Sequence, residues 1–382
     1  STGGPTISGI TTFSGTNFFV PPVGNTAQRP DNPQKGAIRF NTDTKHLEYY
    51  KGDTIGWSEI EASNEELGGG TGSNTGLGAR GLMVNGGVYG AYVNEIKYIT
   101  ISTLGADTDF GDSTYSGQFA SCGVGSRTRG VWSGGYTPAG RVNIINYVTF
   151  SSTGDAVDFG DTTQHREGLA GGGSGTRGVF AGGWVNPTAT DIIDYITIAS
   201  TGDAKDFGDM TTPGVYMAGC SSSTRGVIQI GKVGVSPSTV QSNAMEYLTI
   251  SSTGNTTDFG DNATNNIQRA SCSNSIRGLV FGGYQPGPTT HKNEISYFTI
   301  ATTGNSVDFG DLPSANVTNG STGSTSPTRA VFAGGYFASS PNATNAIAYV
   351  EIMTTGNAVD FGDLAYSTIT NGLKSSSNGH GG

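Results

Sequence analysis

The stretch T-R-G-V-F-A-G-G-W (residues 176–184), followed after a loop by D-Y-I-T-I-A-S-T-G-D-A-K-D-F-G-D (residues 194–209), decides the fold. The chain writes it six times. Its last word places Phe at 110, 159, 207, 259, 309 and 361, and its first places Arg at 80, 129, 177, 225, 277 and 329. The intervals lie between 48 residues (159 to 207) and 52 residues (207 to 259). A period of that size with strand-like content predicts one four-stranded blade per repeat, and hence an all-β, six-bladed β-propeller.

Each repeat offers four strand candidates. A small-residue strand (168–172, 270–273) precedes an Arg-Gly-apolar strand ending in a Gly pair (129–135, 177–183, 277–283). Then comes Tyr-apolar-Thr-apolar (147–150, 195–198, 297–300), and last the Asp-Phe-Gly-Asp strand. Between the last two, Thr-Gly-Asn or Thr-Gly-Asp recurs, which predicts a two-residue hairpin turn with positive φ at its first central position. The repeat that opens at Ala79 has no small-residue strand in front, whereas the last Asp-Phe-Gly-Asp is followed by residues 371–377 with no Arg-Gly strand after them. The register therefore predicts that residues 371–377 supply the innermost strand of the first blade and close the ring.

Composition narrows the function. The formal net charge is −10 and only 13% of residues are charged. That argues against nucleic acid or an anionic membrane as partner, since both need clustered Lys and Arg. No apolar run approaches the roughly 18 residues of a membrane span, so no membrane insertion is expected. No charged-then-apolar leader opens the chain, so export by that route is not expected. The four histidines (46, 165, 291, 380) stand in unlike contexts and define no metal site or catalytic triad. No phosphate-loop motif occurs, and no cofactor is expected. Cys122, Cys220 and Cys272 fall just before Arg-Gly strands at matching places and read as small residues of a crowded strand, with a redox or metal role as the alternative.

Scaffold residues recur in every blade, whereas a ligand or catalytic site is normally built once. The repeated Arg80, Arg129, Arg177, Arg225, Arg277 and Arg329 are therefore expected to bridge neighbouring blades, through Asp carboxylates or strand-end carbonyls. Asp112, Asp161, Asp209, Asp261, Asp311 and Asp363 read as turn caps paired with those arginines. Calcium binding and acid–base catalysis are weaker alternatives, because the spacing lacks a calcium-loop pattern. The repeated Tyr and Phe read as inter-blade packing. The loops after the Gly pairs (136–143, 184–191, 232–243, 284–293, 336–345) differ between repeats, and variable loops on a rigid scaffold are where recognition is expected. Tyr136, Trp184, Tyr284 and Tyr336 open most of them and are the candidate receptor-binding residues, since rings beside amides and hydroxyls suit sugars. The plainer reading is that they cover the blade tops.

Ahead of the repeats, residues 1–66 form a small β module, and residues 67–78 a Gly/Ser-rich linker. Residues 37–41, 45–50 and 57–60 read as a three-stranded meander, too small to stand alone without partners. The run R-P-D-N-P-Q-K-G-A-I-R-F-N-T-D-T-K-H-L-E-Y-Y-K-G-D-T-I-G-W (29–57) resembles a short module of bacteriophage fibre proteins, with Trp57 and Tyr49–Tyr50 as packing anchors. The repeats resemble kelch repeats, whose second strand also ends in a Gly pair, but carry Phe where a kelch Trp is usual. Their wording is similar to the T-R-G-x-F-x-G-G-Y…D-F-G-D repeats of marine phages, including cyanophages.

These resemblances imply a non-enzymatic virion protein, a tail fibre or other appendage, displaying the propeller for adhesion to a host-surface glycan or receptor. The alternatives are a purely architectural connector of capsid, neck or tail, and a glycan-degrading tail protein. They also imply docking to other virion proteins through residues 1–66, and a homo-oligomer, with a trimer the expectation from fibre proteins in general. Deleting residues 370–382 is expected to lower the thermal unfolding midpoint by many degrees, as read by scanning fluorimetry. An unchanged midpoint would overturn the predicted register.

Overall fold

The computed structural model describes residues 21–44, 46–60, 79–88, 91–115, 122–236, 238–285, 290–313, 322–335, 344–365 and 374–378. The chain divides into two compact units, Ser1–Asn64 and Glu65–Gly382. More than half of the described residues are strand and almost none are helix, and the many small sheets are antiparallel apart from one short parallel pairing.

In the first unit Ile38–Asn41, His46–Tyr50 and Trp57–Ile60 form the expected meander, to which Val23–Gly24 adds a parallel fourth strand. Its two faces are inverted relative to the usual pattern. Arg39, Asn41 and Glu48 are buried. Glu48 accepts from Arg29 Nη2 at 2.5 Å and from Asn41 Nδ2 at 3.1 Å, and the Arg29 hydrogen bond holds its carboxyl below the usual carboxylate range. Arg39 also lies 5.9 Å from the Trp57 ring, which packs on Tyr50. Strand alternation puts Ile38, Phe40, Leu47 and Tyr49 on the other face, where Ile38 and Leu47 are exposed.

Among the described residues the second unit holds six four-stranded sheets, with short two-stranded ribbons besides. Sheet 3 shows the plan: Ala170–Gly173, Arg177–Trp184, Ala189–Thr197 and Lys205–Gly214, hydrogen-bonded in that order. Sheet 2 runs from Cys122–Gly125 to Val157–Asp161, sheet 4 from Ala218–Ser221 to Thr257–Asp261, sheet 5 from Ala270–Ser273 to Val307–Asp311, and sheet 6 from Thr322–Thr325 to Val359–Asp363. Sheet 1 takes its first strand from the chain's end. Lys374–Ser377 pairs antiparallel with Arg80–Val88, Ser377 opposite Gly81, ahead of Ala91–Thr100 and Thr108–Asp112. That is the pairing expected of the C-terminal segment.

The Thr-Gly-Asp turn departs from expectation. In sheet 3 the ladder between third and fourth strands ends at Tyr195 and Lys205, so Gly202 and Asp203 lie outside it. They serve sheet 2 instead. Gly202 N–H donates to the Phe159 carbonyl at 2.7 Å and Ala204 N–H to the Asp161 carbonyl at 2.8 Å. Asp203 Oδ1 accepts from Asp161 N–H at 3.0 Å. The outer strand of one sheet is thus continued by the turn of the next. Asp155, Asn255, Asn305 and Asn357 repeat the side-chain bond. The last seam joins sheet 6 to sheet 1, with Gly105 N–H on the Phe361 carbonyl at 3.0 Å. The approach is so close that a Cβ on Gly160 would sit 2.5 Å from the Gly202 carbonyl carbon.

The arginines form a second set of ties. Arg177 lies 4.5 Å from the centroid of Tyr195 in its own sheet, and Tyr195 meets Phe207 edge-on at 5.9 Å. Arg177 Nη1 then donates to the Ile250 carbonyl of sheet 4 at 2.9 Å. Arg80, Arg129, Arg225 and Arg277 reach Phe150, Ile198, Ile300 and Ile352 in the same way. Arg329 of sheet 6 reaches Ile101 of sheet 1 at 3.1 Å. The expected carbonyl bridges are therefore present. The expected ion pairs with Asp112, Asp161, Asp209, Asp261, Asp311 and Asp363 are not found among the described residues. Those residues work through their backbones, and most of their side chains face solvent.

Hydrophobic burial follows the same cycle. One cluster joins Leu82, Ile96 and Phe110 of sheet 1 to Trp132, Val148 and Phe150 of sheet 2, and equivalent clusters cross the following seams. The sixth brings Val331, Ile347 and Phe361 of sheet 6 onto Met83, Ile99 and Ile101 of sheet 1. The first strands of all six sheets line one cavity of about 80 Å³. Around it Ser221, Ser273, Thr325 and Ser377 each donate a hydroxyl to the carbonyl at the same register of the preceding strand, at 2.6–2.9 Å. A Cβ at Gly123 would lie 2.1 Å from the Ser375 carbonyl oxygen, so this lining tolerates only small residues.

Arg177→Ala removes a cation–π contact worth about 0.5–2 kcal/mol and a charge-assisted hydrogen bond worth about 1.5–3 kcal/mol. The expected loss is about 2–4 kcal/mol in urea unfolding, with partial recovery in Arg177→Lys, which keeps the charge but not the planar stack. A midpoint unmoved by Arg177→Ala would show that the seam does not depend on the guanidinium.

Candidate functional site

The segments after the Gly pairs fold back as short ribbons that extend the second and third strands. Tyr136–Thr137 pairs with Gly140–Arg141, Lys232–Val233 with Val240–Gln241, and Tyr284–Gln285 with Thr290–His291. In sheet 3 the ribbon is continuous with the main strands, and Trp184 stands opposite Ala189. The Gly pair makes this geometry possible. Gly182 and Gly183 hold φ of +58° and +114°, a region unfavourable for residues with a Cβ, and the register shifts there.

The ribbons of sheets 3, 4 and 5 are also paired along their flanks by the segments that follow the preceding Asp-Phe-Gly-Asp strands. Glu167 bridges to Trp184, Val215 to Lys232 and Ile267 to Tyr284. These contacts draw two of the four candidate aromatics into one surface. Arg141 lies 5.8 Å from the Tyr136 ring and its Nη2 is 2.7 Å from Glu167 Oε1. Glu167 in turn exchanges backbone hydrogen bonds with Trp184, at 2.7 and 3.3 Å. His165 Nδ1 sits 3.2 Å from the Arg141 carbonyl.

The surface continues onto sheet 4. Burial raises the Tyr216 phenol pKa, and the Glu167 carboxylate raises it further. Lys232 lies 5.7 Å from the Tyr216 ring, and Ser236 N–H donates to the Pro187 carbonyl at 3.1 Å. Tyr136, Arg141, Glu167, Trp184, Tyr216 and Lys232 thus make a band of half-buried rings and paired charges across three sheets. Tyr284 stands on the sheet 5 ribbon, tilted against His291 at 5.8 Å. Tyr336 lies outside the described residues. Sequence reasoning missed Arg141, Glu167 and Tyr216. Glu167 and Tyr216 occur once each within segments of matching length, and that departure from the repeat was the available signal.

Chemically, such a band offers flat apolar faces, one guanidinium–carboxylate pair and backbone edges. Groups of these kinds can stack on and hydrogen-bond a polar ligand with C–H faces. Among the described residues, no three His, Cys, Asp or Glu side chains gather as metal ligands.

A second kind of variation is buried inside the sheets. The residue just before the third-strand Tyr is Lys97, Asn146, Asp194, Glu246, Ser296 or Ala348 in successive sheets. Several of the six have charged or hydroxyl partners of their own. Asp194 meets Arg166 Nη2 at 2.5 Å with both side chains fully buried, Glu246 accepts from Thr211 and Thr256, and Lys97 pairs with Asp109 at 2.8 Å.

The cysteines need one correction. Cys220 and Cys272 share a register, opposite Val227 and Leu279. Cys122 does not, because it stands opposite Ser133 and Val124 occupies the matching place. The chain matches no known family model and no curated protein sequence, so its site is read from its own geometry.

Burial pushes the Cys220 thiol from its ordinary 9.0 up to about 12 and raises Cys272 as well. A folded pKa above the unfolded value means stability that is fully present below about pH 9 and falls as pH rises toward 12. In a Cys122→Ser background, a thiol reagent at pH 8 is expected to label Cys220 and Cys272 only after unfolding. Labelling of the folded chain would contradict this burial.

Proposed function

We propose that residues 79–382 form a six-bladed, kelch-like β-propeller, each sheet a blade, closed by the C-terminal strand. The cyclic order of the seam bonds, arginine ties and hydrophobic clusters supports this reading, because each passes from sheet 6 to sheet 1. On it, the propeller is a non-enzymatic display module of a bacteriophage particle, a tail fibre or other appendage, and it adheres to a host-surface glycan.

The observation that carries the function is the band Tyr136–Arg141–Glu167–Trp184–Tyr216. The scaffold bonds recur from blade to blade, whereas this band is built once and crosses three blades. Its rings supply stacking faces, and its charges lie where sugar hydroxyls reach them. The N-terminal unit is the docking and oligomerisation module of the same proposal, and the exposed Ile38 and Leu47 of its apolar face support that role.

The test is binding of the full chain to an array of bacterial surface polysaccharides. We expect retention on at least one of them, weakened at least tenfold (about 1.4 kcal/mol) by Trp184→Ala or Arg141→Ala, with the unfolding midpoint held. If the folded chain is retained by no polysaccharide, the adhesive reading fails and the architectural one takes its place. If retention survives both substitutions, the ligand lies elsewhere than on this band.

A further inference from the structure

We propose that a pocket in sheet 5, apart from the band on sheets 2–4, binds a single neutral sugar unit. The assignment does not depend on whether that band holds a glycan.

The pocket has a volume of 270 Å³ and is walled by Asn262, Asn266 and Arg269 from the segment before sheet 5, and by Glu294, Ser296 and Asp308 from its third and fourth strands. Sheet 3 shows one way in which this place is filled. The segments 162–169 and 262–269 have equal length and place positive φ at the corresponding Gly168 and Gln268. Asn266 therefore stands where sheet 3 has Arg166, Ser296 where it has Asp194, and Arg269 where it has Leu169. In sheet 3 Arg166 fills the space, paired with Asp194 and donating to the Ile192 carbonyl at 2.7 Å. Sheet 5 has lost both members of that pair and gained a guanidinium.

Asn266 Nδ2 donates to the Gly282 carbonyl at 3.3 Å, but four other polar atoms of the lining are unpartnered. Both side-chain polar atoms of Asn262, Oδ1 of Asn266 and Nε of Arg269 lack a hydrogen-bond partner. All three residues are more than nine-tenths buried. Buried polar groups in native proteins are almost always hydrogen-bonded, so a cluster of open donors and acceptors around one cavity marks a place for a polar guest. Arg269 Nη2 is held by the Thr264 carbonyl at 2.8 Å, which leaves Nε as a fixed donor. Burial lowers this guanidinium's pKa to about 10, so it stays charged at neutral pH.

Charge selects the guest's class. One guanidinium faces the two carboxylates of Glu294 and Asp308, a balance that disfavours an anion. The mixture of donors and acceptors suits hydroxyl groups, each of which donates once and accepts. Val280 and Ile295 supply an apolar wall for the C–H face of a ring. The volume falls just under the roughly 300–1,000 Å³ of small-molecule pockets, so one sugar ring is the fitting size.

The experiment titrates the full chain with D-glucose, D-galactose, D-mannose and N-acetyl-D-glucosamine, by calorimetry and saturation-transfer NMR, with phosphate and acetate in parallel. At least one sugar is expected to saturate near millimolar concentration, roughly the −4 kcal/mol range of a single-ring ligand, and at least tenfold more tightly than either anion. Replacing the wall with sheet 3's set (N266R, R269L, S296D) should fill the pocket and lower affinity at least tenfold. N262A should weaken the sugar similarly with the unfolding midpoint unchanged, and serves if the triple variant does not fold. The proposal is overturned if no sugar saturates by about 100 mM, if N262A binds as the wild type does, or if an anion binds more tightly than every sugar.

Discussion

The outer edge of a β-sheet presents a row of unpaired N–H and C=O groups that must be covered or blunted. In this chain each outer edge is covered by the neighbouring sheet's turn, which lays two backbone N–H groups along Asp-Phe-Gly-Asp and, at every seam but that of sheet 6 with sheet 1, one side-chain oxygen. The geometry explains both of the repeat's most persistent words. Asp-Phe-Gly-Asp and Thr-Gly-Asn/Asp are two halves of one contact, written in different repeats. Glycine stands in the first half because the approaching peptide leaves no room for a Cβ. Asparagine or aspartate stands in the second because its oxygen reaches the last N–H. The arginine tie lies beyond this contact and depends on it, since Arg177 meets Ile250 only if sheets 3 and 4 are already side by side.

Period and alternation made the strands and their grouping legible, and the missing first strand of the Ala79 repeat revealed the role of the C-terminus. What sequence could not show was which repeat a residue serves. Gly202 and Asp203 read as a local hairpin because their spacing fits one, yet their partners Phe159 and Asp161 belong to the previous repeat. A contact between repeats has the same period as one within a repeat, so periodicity cannot separate them. Asp161 and its equivalents read as ion-pair partners because carboxylates are conspicuous in a sparsely charged chain. Their contribution lies in backbone atoms, which every residue type possesses. The hydroxyl ladder from Ser221 to Ser377 escaped notice for a similar reason, since small residues in a crowded strand need no further explanation until the neighbouring carbonyl is in view.

The candidate sites were less legible than the scaffold. Tyr136 and Trp184 stood out as aromatics in loops of unlike content, but the link between them runs through Arg141 and Glu167. Burial supplies the other distinction. The position before the third-strand Tyr changes character in every sheet, and its consequence depends on whether the preceding segment fills the space beside it. Sheet 3 closes that space with an ion pair and sheet 5 leaves it open. Two sheets of one architecture thus diverge at a few side chains, without disturbing the bonds that hold each to its neighbours.

The pairing of Lys374–Ser377 with Arg80–Val88 also sets a schedule for synthesis. Arg80 N–H bonds to Asn378 Oδ1 across 298 residues. At about 5–20 residues per second, a ribosome takes roughly 15–60 s to make the partner of a strand it has already released. During that interval Arg80–Val88 has a bare strand flank. Every intermediate sheet can settle against the one before it as it emerges, but the strand that pairs with Arg80–Val88 arrives only after the other five sheets have been made. A chain cut short before Lys374 leaves that flank of Arg80–Val88 unpaired, so the oldest strand of the second unit depends on one of its youngest.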